Sequence, residues 1–416
     1  MRPLLIAIEP GLTSAFQKVV AAPTLQHGVG HWTEAIERFG QAWNGETLLI
    51  GNSAPERLVG IDRFRPTVET LVDPKRSLWL QGRSRLVRLL DPLLAGEVGS
   101  RLVQDEWDGA TSPALLSILL DEVRAHRETT ILIPTATPIT AETVIRNVGV
   151  LKEAAGAGGS LRLRIRFSSQ GHERRGLHPS YFAHQLKRWS DRARSVDLKF
   201  GVEVESMATR YSAESGLDVA WVPWPREAQS CLTESAPPTT PAPHIYLYAS
   251  RPEQGSDSAQ RVIASIQHEI REHLRFTVQL GRLALKKSPA LVHAFGQMPQ
   301  VTLSGSGLPP STLHAQFADA SVVVLPYDVR KYRGRGSALM WGALDHGVPL
   351  IAPAGTGFGD DIERHGIGFA YSNLREIPAL VRRVLDERAV LRSAIERYQL
   401  HRAAAVRAYF GEHSLA

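Results

Sequence analysis

Short apolar runs alternate along the chain with longer stretches in which apolar residues recur at helical spacing. In the first half, this pattern predicts strands at 4–8, 47–50, 130–133 and 161–167 and helices at 32–43, 114–126, 140–155 and 179–194. In the second half, it predicts strands at 245–249, 276–279, 301–303, 322–326 and 350–352 and helices at 259–274, 310–318 and 337–346. Such alternation is typical of parallel sheets covered on both faces. We therefore expect two α/β halves.

A proline-rich segment separates the two halves. Four prolines lie between Ser235 and Pro243, and they exclude a helix there and favour a stiff, extended spacer. The sequence thus predicts domains at 1–230 and 244–390, joined by a linker at 231–243. Ligands of open α/β sheets bind at the carboxyl ends of the strands, so a cleft between the two domains is the expected place for a site.

Composition is that of a globular chain. Hydrophobic residues make up 43% of the 416 positions and charged residues 22%, which excludes a disordered or collagen-like chain. The single cysteine, Cys231, cannot form an internal disulfide, so a reducing compartment is expected. No apolar run approaches the ~18 residues of a membrane helix, and the run at 4–8 is too short for a signal peptide. We expect a cytoplasmic protein, free or peripherally bound at the inner face of a membrane.

The formal net charge of +6 is concentrated in one segment. Residues 161–200 carry ten Lys and Arg against three acidic residues. Within that segment, Arg162, Arg164 and Arg166 alternate along a predicted strand and therefore share one face. Two interpretations remain open. The face is either solvated, or it meets the phosphates of a substrate or of an anionic lipid leaflet.

The segment from 322 to 353 carries the clearest chemistry. A predicted strand is followed by a basic loop that contains glycines, and a helix begins near its end. A helix N-terminus beside glycines suits a phosphate group, and arginines bind phosphate oxygens in pairs of hydrogen bonds. The alternative is a basic loop in solvent, with Ser337 as an ordinary N-cap. The candidate donor-phosphate residues of the segment are Tyr327, Arg333, Arg335, Gly336 and Ser337.

This segment resembles the donor-binding half of glycosyltransferases with the GT-B fold, especially family 4. The matching features are a strand that ends in Pro326, a glycine-containing loop, a helix with Ala343-Leu344, and the turn Gly347-Val348-Pro349 into another apolar strand. The resemblance implies two Rossmann-like domains that face each other across a cleft. It also implies transfer of a sugar from a nucleotide diphosphate sugar to a glycan, lipid or protein acceptor. An anionic acceptor would fit the basic segment at 161–200.

The resemblance assigns the halves and some residues. It makes 1–230 the acceptor-side domain and 244–390 the donor domain, and in such proteins the last helix, here within 391–416, packs back on the N-terminal domain. The family often shows two basic residues after the first strand of the donor domain, which hold the diphosphate. Arg251 matches one of them, and Gln254 stands where the Lys is expected. We place Gly305 in the same donor site.

The family's two glutamates, which orient the donor sugar, are absent. Aligned on the turn at 347–349, their positions fall on Gly334 and Gly342. Asp328, at the carboxyl end of a strand, is the candidate that replaces them in part, and a turn-forming Asp is its alternative. The absence also leaves open a catalytically silent GT-B protein that acts as a binding or partner subunit.

Acceptor-side candidates lie in the first half. Gly28, Gly30 and His31 precede a predicted helix, and a histidine has a pKa suited to acid/base work near neutrality. His172 and Glu173 follow the basic strand, where a solvated turn is equally expected. No Cys or His cluster has metal-ligand spacing, and no basic module with interleaved aromatic residues indicates nucleic-acid binding. We expect no metal, no intrinsic cofactor and no nucleic-acid partner, and the sequence predicts no oligomeric state.

Overall fold

The computed structural model of the chain forms two compact units, Met1–Pro225 with Ala404–Ala416 and Arg226–Ala403. The structure describes residues 4–8, 38–51, 62–66, 113–136, 138–167, 180–225, 242–270, 273–281, 285, 289–305, 308, 310–333 and 335–411. Most of the predicted linker lies outside them.

Seven parallel strands form the sheet of the first unit. They are β1 (Leu4–Ile8), β2 (Glu46–Gly51), β3 (Arg63–Pro66), β4 (Glu128–Ala136), β5 (Ser160–Phe167), β6 (Asp197–Val202) and β7 (Val219–Trp221). Their order across the sheet is β3-β2-β1-β4-β5-β6-β7. The helices whose two ends lie within the described part of this unit are α1 (Pro113–Ala125), α2 (Pro138–Arg146), α3 (Val148–Ala155), α4 (Ser180–Arg192) and α5 (Glu205–Ser215).

Aromatic side chains fill the core beside β5. The Phe167 ring stacks on Trp189 of α4 at a centroid separation of 5.8 Å, and Phe182 meets Phe167 edge to face. At another part of the core, Phe410 contacts Phe39 and Trp43 edge to face. Aromatic pairs of this geometry add stability beyond the area that they bury. The sheet is therefore closely packed on the faces that these rings cover.

The basic strand differs from both interpretations offered by the sequence. Arg166 is fully buried and Arg164 nearly so. Arg166 donates to the backbone oxygens of Val222 at 2.6 Å and Pro134 at 2.7 Å. Arg164 donates to the Asp197 carboxylate at 2.6 Å. A buried guanidinium needs such partners, because an isolated buried charge is costly. These two arginines therefore hold the first unit together and present no solvated or phosphate-binding face.

Six parallel strands form the sheet of the second unit, in the order β10-β9-β8-β11-β12-β13. They are β8 (His244–Ala249), β9 (Arg275–Leu280), β10 (Val301–Gly305), β11 (Val322–Val324), β12 (Leu350–Pro353) and β13 (Gly368–Tyr371). Its helices are α6 (Ala259–Glu269), α7 (Pro289–Gly296), α8 (Pro310–Asp319), α9 (Val329–Tyr332), α10 (Ala338–Asp345), α11 (Gly357–His365), α12 (Ile377–Asp386) and most of α13 (Arg388–Phe410).

The order of the strands reverses between β8 and β11. From β8 the sheet continues to β9 and β10 on one side, and from β11 to β12 and β13 on the other. Helices that follow the two central strands diverge at such a point and leave a crevice at the carboxyl ends. The second unit thus has a preformed place for a ligand.

The predicted strands are all present, and the structure adds β3, β6, β7 and β13. β3 and β6 carry a mixed pattern of polar and apolar residues that does not distinguish a strand by periodicity, and β7 and β13 are only three and four residues long. The helix predicted at 140–155 is wrong as one element, because it is broken at Asn147 into α2 and α3. Within the described part of the chain, no helix has the length and apolarity to cross a membrane.

Candidate functional site

A cavity of about 310 Å³ lies at the carboxyl ends of the second unit's strands. Its walls come from the loops after β8 and β11 and from the ends of β12 and β13, so it occupies the crevice at the point where the strand order reverses. The lining residues that matter below are Gly255, Ser258, Arg261, Tyr327, Asp328 and Tyr371. We refer to it as the carboxyl-edge cavity.

Two loops of this cavity are fixed against each other by a glycine. Gly255 has φ +88°, and a Cβ atom built on it would lie 2.4 Å from the backbone oxygen of Pro326. The Asp328 amide donates to the backbone oxygen of Glu253 at 2.9 Å. Only glycine combines the left-handed backbone with so close an approach. Gly255 therefore sets the spacing between the loop after β8 and the loop after β11.

Tyrosines form the floor beside these loops. The Tyr327 ring lies 4.4 Å from that of Tyr332 and 6.1 Å from that of Tyr248, measured between centroids. Burial raises the pKa of all three phenols, most strongly that of Tyr327. They are consequently neutral near physiological pH. The side chain of Gln254, at the position that the resemblance assigns to a Lys, acts against this rise in the pKa of Tyr248 and Tyr332.

Asp328 lies in the carboxyl-edge cavity and caps a short helix. It is the N-cap residue of α9, and its carboxylate accepts a hydrogen bond from the Arg330 amide at 2.8 Å. The side chain is exposed. One carboxylate oxygen is thus committed to the cap, and the group can still accept further hydrogen bonds. The turn-forming role and a role in a site are compatible.

The N-terminus of α10 differs from an ordinary capped helix. Ser337 is the N-cap residue, but its side chain makes no cap hydrogen bond, and its Oγ lies 3.4 Å from the Tyr327 hydroxyl. In α11, by contrast, the Thr356 hydroxyl accepts from the Gly359 amide at 3.0 Å. The α10 terminus, unlike that of α11, leaves its side-chain hydroxyl available beside Tyr327.

The arginines predicted for the donor site differ in their surroundings. The Arg251 side chain is 66% exposed and lies 3.9 Å from Glu253. Arg333 is exposed after α9. The Arg335 guanidinium lies over the Tyr332 ring at 5.9 Å from its centroid. None of the three lines the carboxyl-edge cavity, although each is in a segment adjacent to it.

Arg261 is the cavity cation that sequence reasoning missed. It lies in the first turn of α6, directly after the loop that follows the central strand β8, and it lines the cavity. The signal that could have found it is its position, because the helix after the first strand of a Rossmann-like unit is where anions bind.

Two predicted positions lie elsewhere in the second unit. Gly305 ends the edge strand β10, two strands away from the reversal point, and its backbone oxygen accepts from Gln279 Nε2 at 3.3 Å. Gly342 lies in α10, and a Cβ atom there would be 2.6 Å from Cε2 of Phe317. The helix face at Gly342 therefore packs on Phe317 and has no space for the family's glutamate.

The remaining predicted positions are not among the described residues. They are Gly28, Gly30, His31, His172, Glu173 and Gly334. Their roles stay predictions.

The fold of the whole chain is similar to that of several solved structures. A Candida albicans trehalose-6-phosphate phosphatase N-terminal domain is 11% identical, with a TM-score of 0.57 over 98% of this chain and 95% of that chain. A trehalose-6-phosphate protein from E. coli, bound with UDP-2-fluoro glucose, is 10% identical, with a TM-score of 0.56 over 98% of both chains. Anabaena Alr3699/HepE in complex with UDP-glucose is 10% identical, with a TM-score of 0.52 over 99% of this chain and 98% of that chain.

These likenesses confirm the fold class expected from the sequence. The chain has two Rossmann-like α/β units of the GT-B type. No protein-family model matches the sequence, and none of the curated proteins matches it.

Proposed function

We propose that this chain is a glycosyltransferase that moves a sugar from a nucleoside diphosphate sugar to an acceptor. The observation that carries the proposal is the carboxyl-edge cavity, which lies where the strand order reverses and contains Arg261. Open α/β sheets bind phosphate-containing ligands at this point. The fold supports it, because the similar E. coli and Anabaena structures hold UDP-2-fluoro glucose and UDP-glucose. Uridine donors are therefore the first to test.

The proposed chemistry depends on stabilising the departing diphosphate. As the bond between the sugar and the diphosphate breaks, negative charge grows on the leaving oxygen, and cationic groups fixed beforehand stabilise that charge. The positive charge would come from Arg261 in the cavity and from Arg251 and Arg333 on the adjacent loops. With this charge from arginines, the reaction needs no divalent cation. Asp328 would orient the donor sugar, and its helix-capping bond holds it at the edge of the cavity.

The acceptor remains open among a glycan, a lipid and a protein. His31 with Gly28 and Gly30, and His172 with Glu173, are the proposed acceptor-side residues. The case for an anionic acceptor or membrane surface is weaker than the sequence suggested, because Arg164 and Arg166 are buried within the first unit. The proposal includes two further points: the donor half is similar to that of family 4, and the protein is located in the cytoplasm.

The proposal is tested by incubating the purified chain with a panel of nucleoside diphosphate sugars and candidate acceptors. The expected result is release of a nucleoside diphosphate, UDP first, that persists when EDTA removes divalent metal ions. Loss of release with EDTA and its recovery with Mg²⁺ or Mn²⁺ would overturn metal independence alone. Absence of both release and nucleotide binding across the panel would overturn the proposed function.

A catalytically silent GT-B binding protein is the second candidate, and Gly342 favours it. The site of one family glutamate is occupied by the contact between α10 and Phe317, so no carboxylate reaches the donor from that position. This candidate predicts that the chain binds a nucleoside diphosphate sugar and leaves it intact in the presence of every acceptor. The same panel, followed for both binding and release, distinguishes the two functions.

A further inference from the structure

A second cavity, of about 620 Å³, opens at the opposite edge of the six-stranded sheet. Its walls come from the amino ends of β8, β9 and β10 and from α8. The strands of this sheet are parallel, so this amino-edge cavity is separated from the carboxyl-edge cavity by the length of the strands. Its volume lies in the range of small-molecule sites, about 300–1,000 Å³.

A chain of three polar side chains crosses the wall of the amino-edge cavity. His244 Nδ1 lies 2.9 Å from the Asp319 carboxylate, and His244 Nε2 lies 2.9 Å from Thr277 Oγ1. An anionic carboxylate repels a nitrogen lone pair, so the proton of the neutral ring resides on Nδ1. Nε2 then accepts from the Thr277 hydroxyl. The Thr277 oxygen is thereby set as a hydrogen-bond acceptor for any group in the cavity.

The charged groups in the wall of the cavity, Arg275 and Asp319, neutralise each other as an ion pair. Arg275 donates to both carboxylate oxygens of Asp319, at 3.0 and 3.1 Å. Hydrogen bonds from Arg275 hold the pKa of Asp319 below its usual range, so it remains ionised and paired. Burial lowers the pKa of His244 and outweighs the opposite effect of Asp319, so the imidazole is neutral at physiological pH. Neither an anion nor a cation meets an uncompensated charge from these three groups.

The side-chain amide of Gln316, in the wall of the cavity, contains a hydrogen-bond acceptor that is unpaired within the described part of the chain. Gln316 Nε2 donates to Ser304 Oγ at 3.3 Å, which fixes the orientation of the amide. Gln316 Oε1 is buried and, among the residues that the structure describes, has no hydrogen-bond partner. A buried acceptor left unpaired costs about 1–3 kcal/mol. Gln316 and Thr277 both line the amino-edge cavity, so a small shift of the Gln316 side chain would bring two acceptors to the hydroxyl groups of a ligand.

We propose that the amino-edge cavity is a binding site for a neutral polyhydroxylated ligand, namely a mono- or disaccharide. Contiguous hydroxyl groups supply donors to Thr277 and Gln316 and accept from amides such as that of Gln300, which also lines the cavity. An anionic ligand gains nothing from an arginine already paired to Asp319. An apolar ligand would leave the two acceptors unpaired. The proposal does not depend on glycosyl transfer at the carboxyl edge.

Saturation-transfer NMR of the full chain tests this site, with glucose, N-acetylglucosamine, maltose and lactose as probes and glucose 6-phosphate as the anionic comparison. The variants are Thr277→Val, which keeps the shape of the side chain but removes the hydroxyl, and Gln316→Leu. Each should weaken binding of the saccharide by about tenfold, the equivalent of one hydrogen bond. Thr209→Val, at an exposed position of α5 outside both cavities, is the matched control and should leave saccharide binding unchanged. Near-UV circular dichroism establishes that each variant is folded.

Three outcomes would overturn the proposal. The first is no saturation transfer to any of the four saccharides. The second is equal binding to the wild type, Thr277→Val and Gln316→Leu, which would place the saccharide elsewhere. The third is transfer to glucose 6-phosphate without transfer to glucose, which would mean that the cavity selects anions. None of these readouts requires a nucleotide, so failure here is distinguishable from failure of the proposed transferase activity.

Discussion

The three arginines of β5 alternate regularly along the strand but differ in how far their side chains are exposed to solvent. Arg162, Arg164 and Arg166 share one face, yet exposure falls along the strand, from 19% for the Arg162 side chain to 0% for Arg166. Burial opposes ionisation of Asp197, but the hydrogen bond from Arg164 and neighbouring positive charges outweigh it and lower the pKa of this carboxyl. Arg164 and Arg166, the most deeply buried of the three, thus donate hydrogen bonds to a carboxylate and to backbone carbonyl groups inside the unit.

Replacing Arg166 should be far more damaging than replacing Arg162. Arg166→Met removes the donor to two buried backbone oxygens and the guanidinium that lies 3.7 Å from the buried Glu203. The expected loss of unfolding free energy is about 3–5 kcal/mol. Arg162→Met, on the same face, should cost less than about 1 kcal/mol. Urea unfolding compares the two, and equal losses would contradict the structural role of Arg166.

Gly255 is a residue whose conformation and contacts both exclude a side chain. Gly255→Ala must adopt φ +88° and displace the Pro326 oxygen from 2.4 Å. Gly366→Ala, in the same unit, has φ +62° and meets nothing within 4 Å, so it carries only the left-handed cost of about 1–2 kcal/mol. Thermal unfolding should show a larger loss for Gly255→Ala than for Gly366→Ala, and nucleotide affinity should fall only in the former. Equal melting temperatures would argue against a close approach of the two loops.

Among the elements of the second unit, two helices that begin after glycine-containing loops have different termini. The Thr356 hydroxyl donates to the Pro353 oxygen at 2.8 Å and accepts from the Gly359 amide, so it is satisfied within α11. Ser337 makes no such cap for α10. A sequence cannot distinguish the two, because Ser and Thr are both favoured N-cap residues. The difference supports α10 as the terminus that would meet a ligand.

This difference gives a paired expectation for stability and binding. Thr356→Ala should lower the unfolding free energy by about 1–2 kcal/mol, the usual effect of losing an N-cap. Ser337→Ala should change stability by less than about 0.5 kcal/mol, since no cap bond is lost, and should weaken UDP binding. Chemical denaturation and calorimetric titration provide the two measurements. A stability loss in Ser337→Ala as large as that in Thr356→Ala would show that Ser337 is an ordinary cap.

For the whole molecule, the position of the proposed donor site depends on three arginines from separate segments of the chain. Replacing Arg251, Arg261 or Arg333 with Ala should weaken UDP binding by about 1–3 kcal/mol each, as for charge-assisted hydrogen bonds. Arg124, 60% exposed in α1, is the matched control and should have no effect. Calorimetric titration of UDP measures all four. Unchanged affinity in the three variants would place the phosphate site elsewhere.

Stability of the second unit should depend on pH through His244. Burial lowers the pKa of His244 in the folded chain below its ordinary value of about 6.5. As the pH falls, the unfolded chain therefore binds a proton before the folded chain does. The stability that neutral His244 contributes is complete above about pH 6.5 and is lost as the pH falls toward the lowered folded value. The difference in unfolding free energy between wild type and His244→Gln should shrink over this range, whereas a constant difference would contradict the shift.

Much of the fold could be predicted from the sequence, and less of the site. The buried strands of the second unit are continuous apolar runs, so β8, β11 and β12 are evident from pattern alone. Arg261 was missed because nothing in its local sequence marks it. It becomes a cavity residue only because β8 is central in the sheet and because Gly255 brings the following loop against Pro326.

The strand–helix alternation, the class of fold and the loops that follow the central strands can be read from local sequence, because burial on both faces of a parallel sheet imposes a local apolar pattern. Which charges are internal, which glycines are steric requirements and which groups line a cavity becomes evident only in the folded chain. Arg166, Gly342 and the chain from Asp319 through His244 to Thr277 depend on partners far away in the sequence. Distance along the chain hides those contacts, since the free energy of a buried polar group is set by neighbours that folding alone assembles.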